Sequence, residues 1–425
     1  MTTSTGISGL SAMIAAAKID EIYEVVSAHK KQLSSFGFTR GYLGVSVFTY
    51  LYAVHSGKKQ YLDDARDAFD RACDMVDSDP LKAYPQDFAG LGAVAQYLCQ
   101  VSVLDIDPNI FLSDIDAVLL KKMRSELYVG NLGGFSHGAL GYGLYFLQRS
   151  YYNRAFAQPV IEELVQGIVR YAIPTDEGCY WKSGLNGSHT KPAIFSPNET
   201  TAVLLFLARA IEMGLCPADF LEGIVNEAII YLDNQHTNLA KPFRGTAGNS
   251  SAPNGDSRNG IFRNGIFRNG SGYAVMQEVS YEVSREVNAE TAYALLRTGA
   301  AFGNTAWTRE GLEMLREYAK ARRERASCMR DAGIHAGAAG LALLFDRSAQ
   351  LTYDQTLENA AHFWYRQILR FDLHPDGFAG YKTSENAWNM QKNLAFCEGI
   401  LGIGSALVKA LHPEKVNFDD LIWLL

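Results

Sequence analysis

The chain contains no Cys-x-x-Cys unit and no close cysteine pair. Its six cysteines, Cys73, Cys99, Cys179, Cys216, Cys328 and Cys397, are scattered through 425 residues. That spacing argues against a disulfide framework and reads as reduced thiols, which makes the cytoplasm the expected location. Also missing is any basic tract; with a formal net charge of −7 the surface is unsuited to nucleic acid. No apolar run approaches the roughly 20 residues needed to cross a bilayer, so no membrane span is expected. The opening "MTTSTGISGLSAMIAAAKID" lacks the positive start and long apolar stretch of a secretory signal. Strand signals are scarce too: "GCYWKSG" around Cys179 has the makings of one short hairpin, and nothing else does.

What the chain does have is apolar residues, 48% of the total against 20% charged, enough for a large core. At this length the choice is between two or three domains and one large repeat architecture. The repeat is visible. A polar residue, two small residues three apart, and a helix-length apolar run recur as "TRGYLGVSVFTYLYA", "DFAGLGAVAQYL", "SHGALGYGLYFLQ", "HAGAAGLALLF" and "CEGILGIGSALVKAL". The small pairs are Gly41/Gly44, Ala89/Gly92, Gly138/Gly141, Gly337/Gly340 and Gly399/Gly402. Between such units lie helices of another kind. In "KKQYLDDARDAFDRACDMV", Tyr61, Leu62, Ala65, Phe69, Ala72 and Val76 share one face and the charges occupy the other. A wholly apolar helix followed by a two-faced one, at a period of about 50 residues, points to a closed or open array of helical hairpins. The simplest closed form is all-α: an α/α toroid of about seven hairpins, with buried helices inside and amphipathic helices outside.

One stretch breaks the rhythm. Residues 243–272 are rich in Gly, Asn and Ser and contain the duplication "NGIFRNGIFRNG". That composition buries too little to offset its ordering entropy, and predicts an exposed, mobile loop, with a lid over a site as the alternative.

The ordered series "FSHGALG", "DAGIHAGAAGLALLF", "DGFAGYKT" and "EGILGIGSAL" resembles the lanthionine synthetase C-like (LanC-like) family over most of the chain, and more weakly between His189 and Ala289. The resemblance implies one LanC-like toroid over residues 1–425. It also implies a chemistry: addition of a peptide cysteine thiol to dehydroalanine or dehydrobutyrine, forming the thioether rings of lanthipeptides. Typical members hold zinc through one Cys in Trp-Cys-Tyr-Gly and a Cys-His pair in Cys-His-Gly, with a histidine on another inner loop as acid and base. Zinc serves by lowering the pKa of the substrate thiol, and a nearby imidazole by moving a proton. This sequence departs from that pattern. His335 stands where the family has cysteine and Ala336 where it has histidine. The place near Arg285 offers no thiol, Asn198 replaces the acid/base histidine, and Glu199 replaces the following glycine. Both thiolates and the paired imidazole are gone, so no zinc and no other cofactor is expected.

The polar residues left at the inner-helix mouths are the candidate site. His137, His335 and Glu398 are the candidate catalytic groups; Arg40, Asp87, Asn198, Glu199 and Cys397 are candidate substrate contacts. Each has a structural alternative: a helix-start histidine bonded to backbone, a carboxylate on a helix dipole, a buried thiol, or an Arg40–Asp87 ion pair closing the ring. Three functional readings stay open. One is zinc-independent thioether cyclisation in lanthipeptide-type maturation, with His137 or His335 as base. Another is a catalytically inactive toroid that binds or positions a precursor peptide or a modifying partner such as a dehydratase. The third is a carbohydrate-active α/α barrel, which would need paired carboxylates flanking a sugar cleft.

Overall fold

The computed structural model of the protein describes residues 7–78, 85–134, 138–182, 199–240, 289–386 and 389–422. The expected loop at 243–272 lies outside the described residues.

The chain alternates between two layers. In order, α1 (Leu10–His29) is outer, α2 (Tyr42–Ser56) inner, α3 (Gln60–Ser78) outer and α4 (Pro85–Gln100) inner. A one-turn α5 (Pro108–Phe111) leads to outer α6 (Ser113–Tyr128), inner α7 (Ala139–Arg149) and outer α8 (Arg154–Arg170). Next come inner α9 (Glu199–Glu212), outer α10 (Glu222–Ala240), inner α11 (Ala289–Phe302) and outer α12 (Thr305–Lys320). The short α13 (Arg322–Cys328) precedes inner α14 (Ala338–Thr352), outer α15 (Gln355–Ile368), inner α16 (Ile400–Leu411) and the one-turn α17 (Asp419–Ile422). Each inner helix packs on the next, and α16 packs on α2, so the inner layer closes into a ring. Because α1 pairs with α16, the first outer helix completes the last hairpin. The expected α/α toroid is the observed fold, and no described helix is long and apolar enough to cross a membrane.

Burial follows the two sequence patterns. Every residue of α2 from Tyr42 to Ala53 is buried, because an inner helix meets neighbours on all sides. In α3 only one stripe, including Ala65, Phe69 and Ala72, is buried, and Tyr61, Leu62 and Val76 flank it half-buried. The layers also begin differently. Outer helices α8, α12 and α15 open on Asn153, Asn304 and Asp354, whose side-chain oxygens accept the first free N–H groups. Inner helices α2, α7, α14 and α16 open on Gly41, Gly138, Gly337 and Gly399 with no side-chain cap.

Two small hairpins interrupt the helices. The hairpin expected near Cys179 is present: β1 (Ile173–Thr175) pairs antiparallel with β2 (Gly178–Tyr180). A second, β3 (Thr383–Asn386) with β4 (Asn389–Gln391), falls where no strand was expected. It follows a turn bridged between Phe378 and Tyr381 and tied to α1 by Lys18, which pairs with Asp372 at 2.8 Å and donates to the Ala379 carbonyl at 3.2 Å.

The chain after α16 packs back onto the inner helices. Phe418 is wholly buried and its ring lies 5.7 Å from that of Phe396. Beside it, Asp419 is 1% exposed and meets Lys409 of α16 at 3.3 Å and Arg347 of α14 at 3.5 Å. Arg347 also pairs with Asp420 at 2.8 Å. Lys409 donates in addition to the Val416 carbonyl at 2.6 Å, so this segment is held by ionic and main-chain contacts at once. Replacing Asp419 with alanine would leave the buried Lys409 without a carboxylate partner, while Arg347 keeps Asp420. The expected loss is about 3–5 kcal/mol of folding stability, measured as a fall in the denaturant midpoint with unchanged slope.

Candidate functional site

A buried helix start has main-chain N–H groups that need acceptors. The inner helices meet this need with the loop that precedes them. Ser35, Asp331 and Asn393 each stand six residues before a mouth glycine, Gly41, Gly337 and Gly399. Each side chain accepts from the main-chain N–H two residues on, at 3.0, 2.8 and 2.8 Å respectively, which sets a tight turn. The main chain then folds back on the helix. Ser35, Asp331 and Asn393 carbonyls accept from Tyr42, Ala338 and Ile400 at 3.2, 3.1 and 3.0 Å. The next carbonyls, of Phe36, Ala332 and Leu394, accept from Leu43, Ala339 and Leu401. A side chain at Gly41 or Gly399 would fall on the carbonyl oxygen of Ser35 or Asn393. The second small residue of the pair is explained in the same way: a Cβ at Gly44 or Gly402 would fall on the Phe38 or Phe396 carbonyl. At α2 and α16 the small pairs therefore mark helix starts against which a loop main chain is pressed, whereas Gly92, inside α4, makes room for the Tyr145 ring.

Neighbouring mouths are also joined to one another. The Phe396 N–H donates to the Thr39 carbonyl at 2.6 Å, which ties α16 to α2. The Cys397 carbonyl accepts from both Ile334 and His335 at 2.9 Å, which ties α14 to α16. On the other side the Asp87 carboxyl, in the first turn of α4, lies against Gly37 of the α2 loop, and the Phe36 and Phe88 rings are 5.9 Å apart. The mouths of α4, α2, α16 and α14 thus form one continuous arc.

Five of the eight candidate residues lie on this arc. Arg40 and Glu398 pair, with one guanidinium nitrogen 3.1 and 2.9 Å from the two carboxylate oxygens; Arg40 is 70% exposed, so water screens the pair. The ion pair expected at Arg40 exists, but its partner is Glu398, because the α2 and α16 mouths are stitched together at Phe396. His335 is half-buried, and its ring makes no hydrogen bond among the described residues. Burial pushes its pKa below the ordinary 6.5 and Arg40 adds to that, while Glu398 and Asp331 pull the other way. Cys397 contributes its carbonyl, and burial pushes its thiol up to about 12. Glu199 heads α9, whose ring neighbours are α7 and α11, so it stands apart from the arc. His137 and Asn198 lie outside the described residues. Lys382, near the same end, is held by Asp376 at 2.6 Å.

Asp331 is the residue that the sequence reading passed over. It is 6% exposed; one carboxylate oxygen accepts from Gly333, and the other from the Ser384 N–H of β3 at 3.0 Å. Burial raises its pKa, and the two N–H donors and His335 lower it. The available signal was the repeated polar-x-small triplet six residues before each mouth glycine: Ser35-Phe-Gly37, Asp331-Ala-Gly333 and Asn393-Leu-Ala395.

A zinc ion of the kind the resemblance implies needs about four converging nitrogen, sulfur or oxygen donors. The arc does not supply them. Glu398 is engaged by Arg40, and both Asp331 oxygens accept main-chain N–H groups. Among the described residues no group of three or more His, Cys, Asp or Glu side chains is placed to hold a metal. These donors do not fit the family's zinc.

No protein-family model matches the chain, and no curated protein matches its sequence. Among solved structures, the fold is similar to that of a nisin cyclase, with a TM-score of 0.61 and 12% sequence identity over 96% of this chain and 97% of that one. At that identity the likeness is one of fold, a LanC-like toroid.

Two measurements test this site. Asp331→Ala removes the acceptor of the buried Gly333 N–H and the half-buried Ser384 N–H and should cost about 1–3 kcal/mol in denaturant unfolding. Metal analysis of purified protein equilibrated with zinc should find well under one equivalent bound; a full equivalent would overturn the donor assignment.

Proposed function

We propose that the protein is a LanC-like enzyme of lanthipeptide-type maturation that closes thioether rings without zinc, using His335 as its base. One observation carries this reading: the half-buried His335 imidazole stands at the ring mouth with no hydrogen bond among the described residues, its backbone pinned by Cys397 and its pKa lowered by burial. A neutral imidazole with both nitrogens available is what a thiol of pKa about 8.5 needs once no metal activates it. The fold likeness to a nisin cyclase supports this choice of reaction class.

In the proposed step, one imidazole nitrogen takes the proton of a peptide cysteine thiol. The thiolate sulfur then bonds to the β-carbon of a dehydroalanine or dehydrobutyrine, and the C=C electron pair moves onto the α-carbon and its carbonyl as an enolate. The imidazolium returns its proton to the α-carbon, so nothing is consumed beyond the thiol and the alkene. Asp331 and Glu398 both favour the charged imidazole and would steady the imidazolium. Asp331, bonded to the loop and to β3, acts as a positioning residue. Arg40, Asp87 and Glu199 would meet the peptide, and His137 and Asn198 remain proposed members of the site. The precursor peptide is the proposed partner, with a dehydratase supplying its alkenes.

A second reading is favoured by the bridge between Arg40 and Glu398, which spans two mouths and occupies the carboxylate that would otherwise serve catalysis. On this reading the toroid binds and positions a peptide without transforming it. A carbohydrate-active barrel draws less support, since Asp331 and Glu398 are engaged and Glu199 stands apart.

Incubation with a dehydrated, cysteine-containing peptide, followed by free-thiol counting, separates the two. The expected result is thiol loss faster than in the protein-free control, reduced at least about 100-fold in His335→Gln. Because the imidazole must be neutral to act and its pKa is depressed, the rate should stay flat near pH 7 and fall only below the ordinary 6.5. Thiol loss at the control rate, with the peptide still bound, would establish the second reading; an unchanged rate in His335→Gln would retire His335.

A further inference from the structure

The outer helices run toward the His335 end of the ring, so α12 and α15 finish there, and α13 leads from α12 to the α14 mouth. This wall concentrates charge of one sign. Residues 317–330 and 359–371 together hold seven Lys and Arg and two acids, Glu317 and Glu324, in a chain whose net charge is −7. Arg322, Arg323, Arg325 and Arg330 come from α13 and its exit, and Arg366 and Arg370 lie four positions apart around the end of α15. Arg322 joins the two strips: it donates to the Ala319 carbonyl at 2.8 Å, and its guanidinium lies 5.7 Å from the centre of the Phe363 ring of α15. Arg325 lies over Tyr318, 3.6 Å from the ring centre. Arg323, Arg366 and Arg370 are exposed and pair with no acid among the described residues.

Most acids nearby are already engaged. Glu317 pairs with Lys320 at 2.5 Å, Asp372 with Lys18 at 2.8 Å and Asp376 with Lys382 at 2.6 Å. That leaves Glu324 against the arginines around it. The negative end of a helix dipole draws cations, which accounts for Lys320, Arg366 and Arg370. It does not account for Arg322, Arg323 and Arg325 within one turn of α13, where like charges repel.

We infer that this wall docks an acidic stretch of a peptide whose remainder reaches the His335 mouth. Its place supports the choice, since α13 ends seven residues before His335. Spread over two strips, the cations suit several carboxylates along an extended chain better than one compact anion. No large apolar side chain of either strip is exposed, which disfavours insertion into a lipid surface. The negative charge of the chain as a whole disfavours a nucleic acid. The inference rests on the reading of the protein as one that handles a peptide, whether or not His335 transforms it.

The test uses the full chain and two fluorescein-labelled peptides of equal length, one rich in Asp and Glu and one with Asn and Gln in their place, read by fluorescence anisotropy. The acidic peptide should bind about tenfold or more tighter, and its affinity should fall as salt is raised, because exposed charges are screened. Arg323→Glu combined with Arg366→Glu should weaken that binding about tenfold or more. Lys121→Glu combined with Lys122→Glu, at exposed lysines of α6, changes the net charge equally and should leave binding within about twofold. All four positions are exposed, so melting should match the parent; the milder Arg323→Gln with Arg366→Gln should give an intermediate loss. Equal binding of the two peptides, unchanged affinity in the Arg323 and Arg366 reversal, or the same loss in the α6 reversal would overturn the inference. Tighter binding of anionic phospholipid vesicles or of an RNA oligonucleotide than of the acidic peptide would do so too. His335→Gln should bind the acidic peptide as the parent does, so a failure of docking and a failure of the thiol-loss assay are read separately.

Discussion

The ring depends on how its inner helices begin. A helix buried on all sides cannot leave its first N–H groups to water, and at α2, α14 and α16 no side chain caps them. The preceding loop does so instead, through two consecutive carbonyls, and it lies so close to the mouth residue that a side chain there would collide with it. The same loops then bond to each other, Phe396 to Thr39 and His335 to Cys397. Sealing the helix ends and aligning adjacent mouths are therefore one set of main-chain contacts, and the candidate side chains take their positions from it.

The two ends of the ring are closed by different chemistry. At the mouths the closure is main-chain hydrogen bonding, with β3 reaching in to Asp331. At the far end it is ionic: Lys409, Arg347 and Arg209 surround Asp419 and Asp420 of the segment after α16. Lys409 and Asp419, whose side chains are 4% and 1% exposed, would be costly there unless paired. At the mouth, His335 makes no ring hydrogen bond among the described residues.

That contrast also explains how the proposed site differs from the family it resembles. Where a metal would activate a thiol, this arc offers one imidazole whose pKa burial lowers, two carboxylates already engaged and a thiol whose pKa burial raises. Such a site can still exchange a proton. Whatever activation it gives must come from the placement of His335, which is why Asp331 and the β3 hairpin matter to it.

Much of the architecture was legible in the residues themselves. The contrast between "YLGVSVFTYLYA" and "YLDDARDAFDRA" separates a helix buried all round from one buried along a stripe, and the recurring small pairs locate the mouths, because burial and close approach act on each residue locally. The β3–β4 hairpin escaped that reading, since its short strands carry little periodic signal and its place is set by contacts to Asp331. Partners were likewise beyond the sequence. Nothing local says that Arg40 meets Glu398, 358 positions away, in place of Asp87, or that Glu199 stands apart from the arc. Those outcomes follow from ring closure, which places α16 against α2; a pairing between distant loop ends is decided only when the last inner helix meets the first.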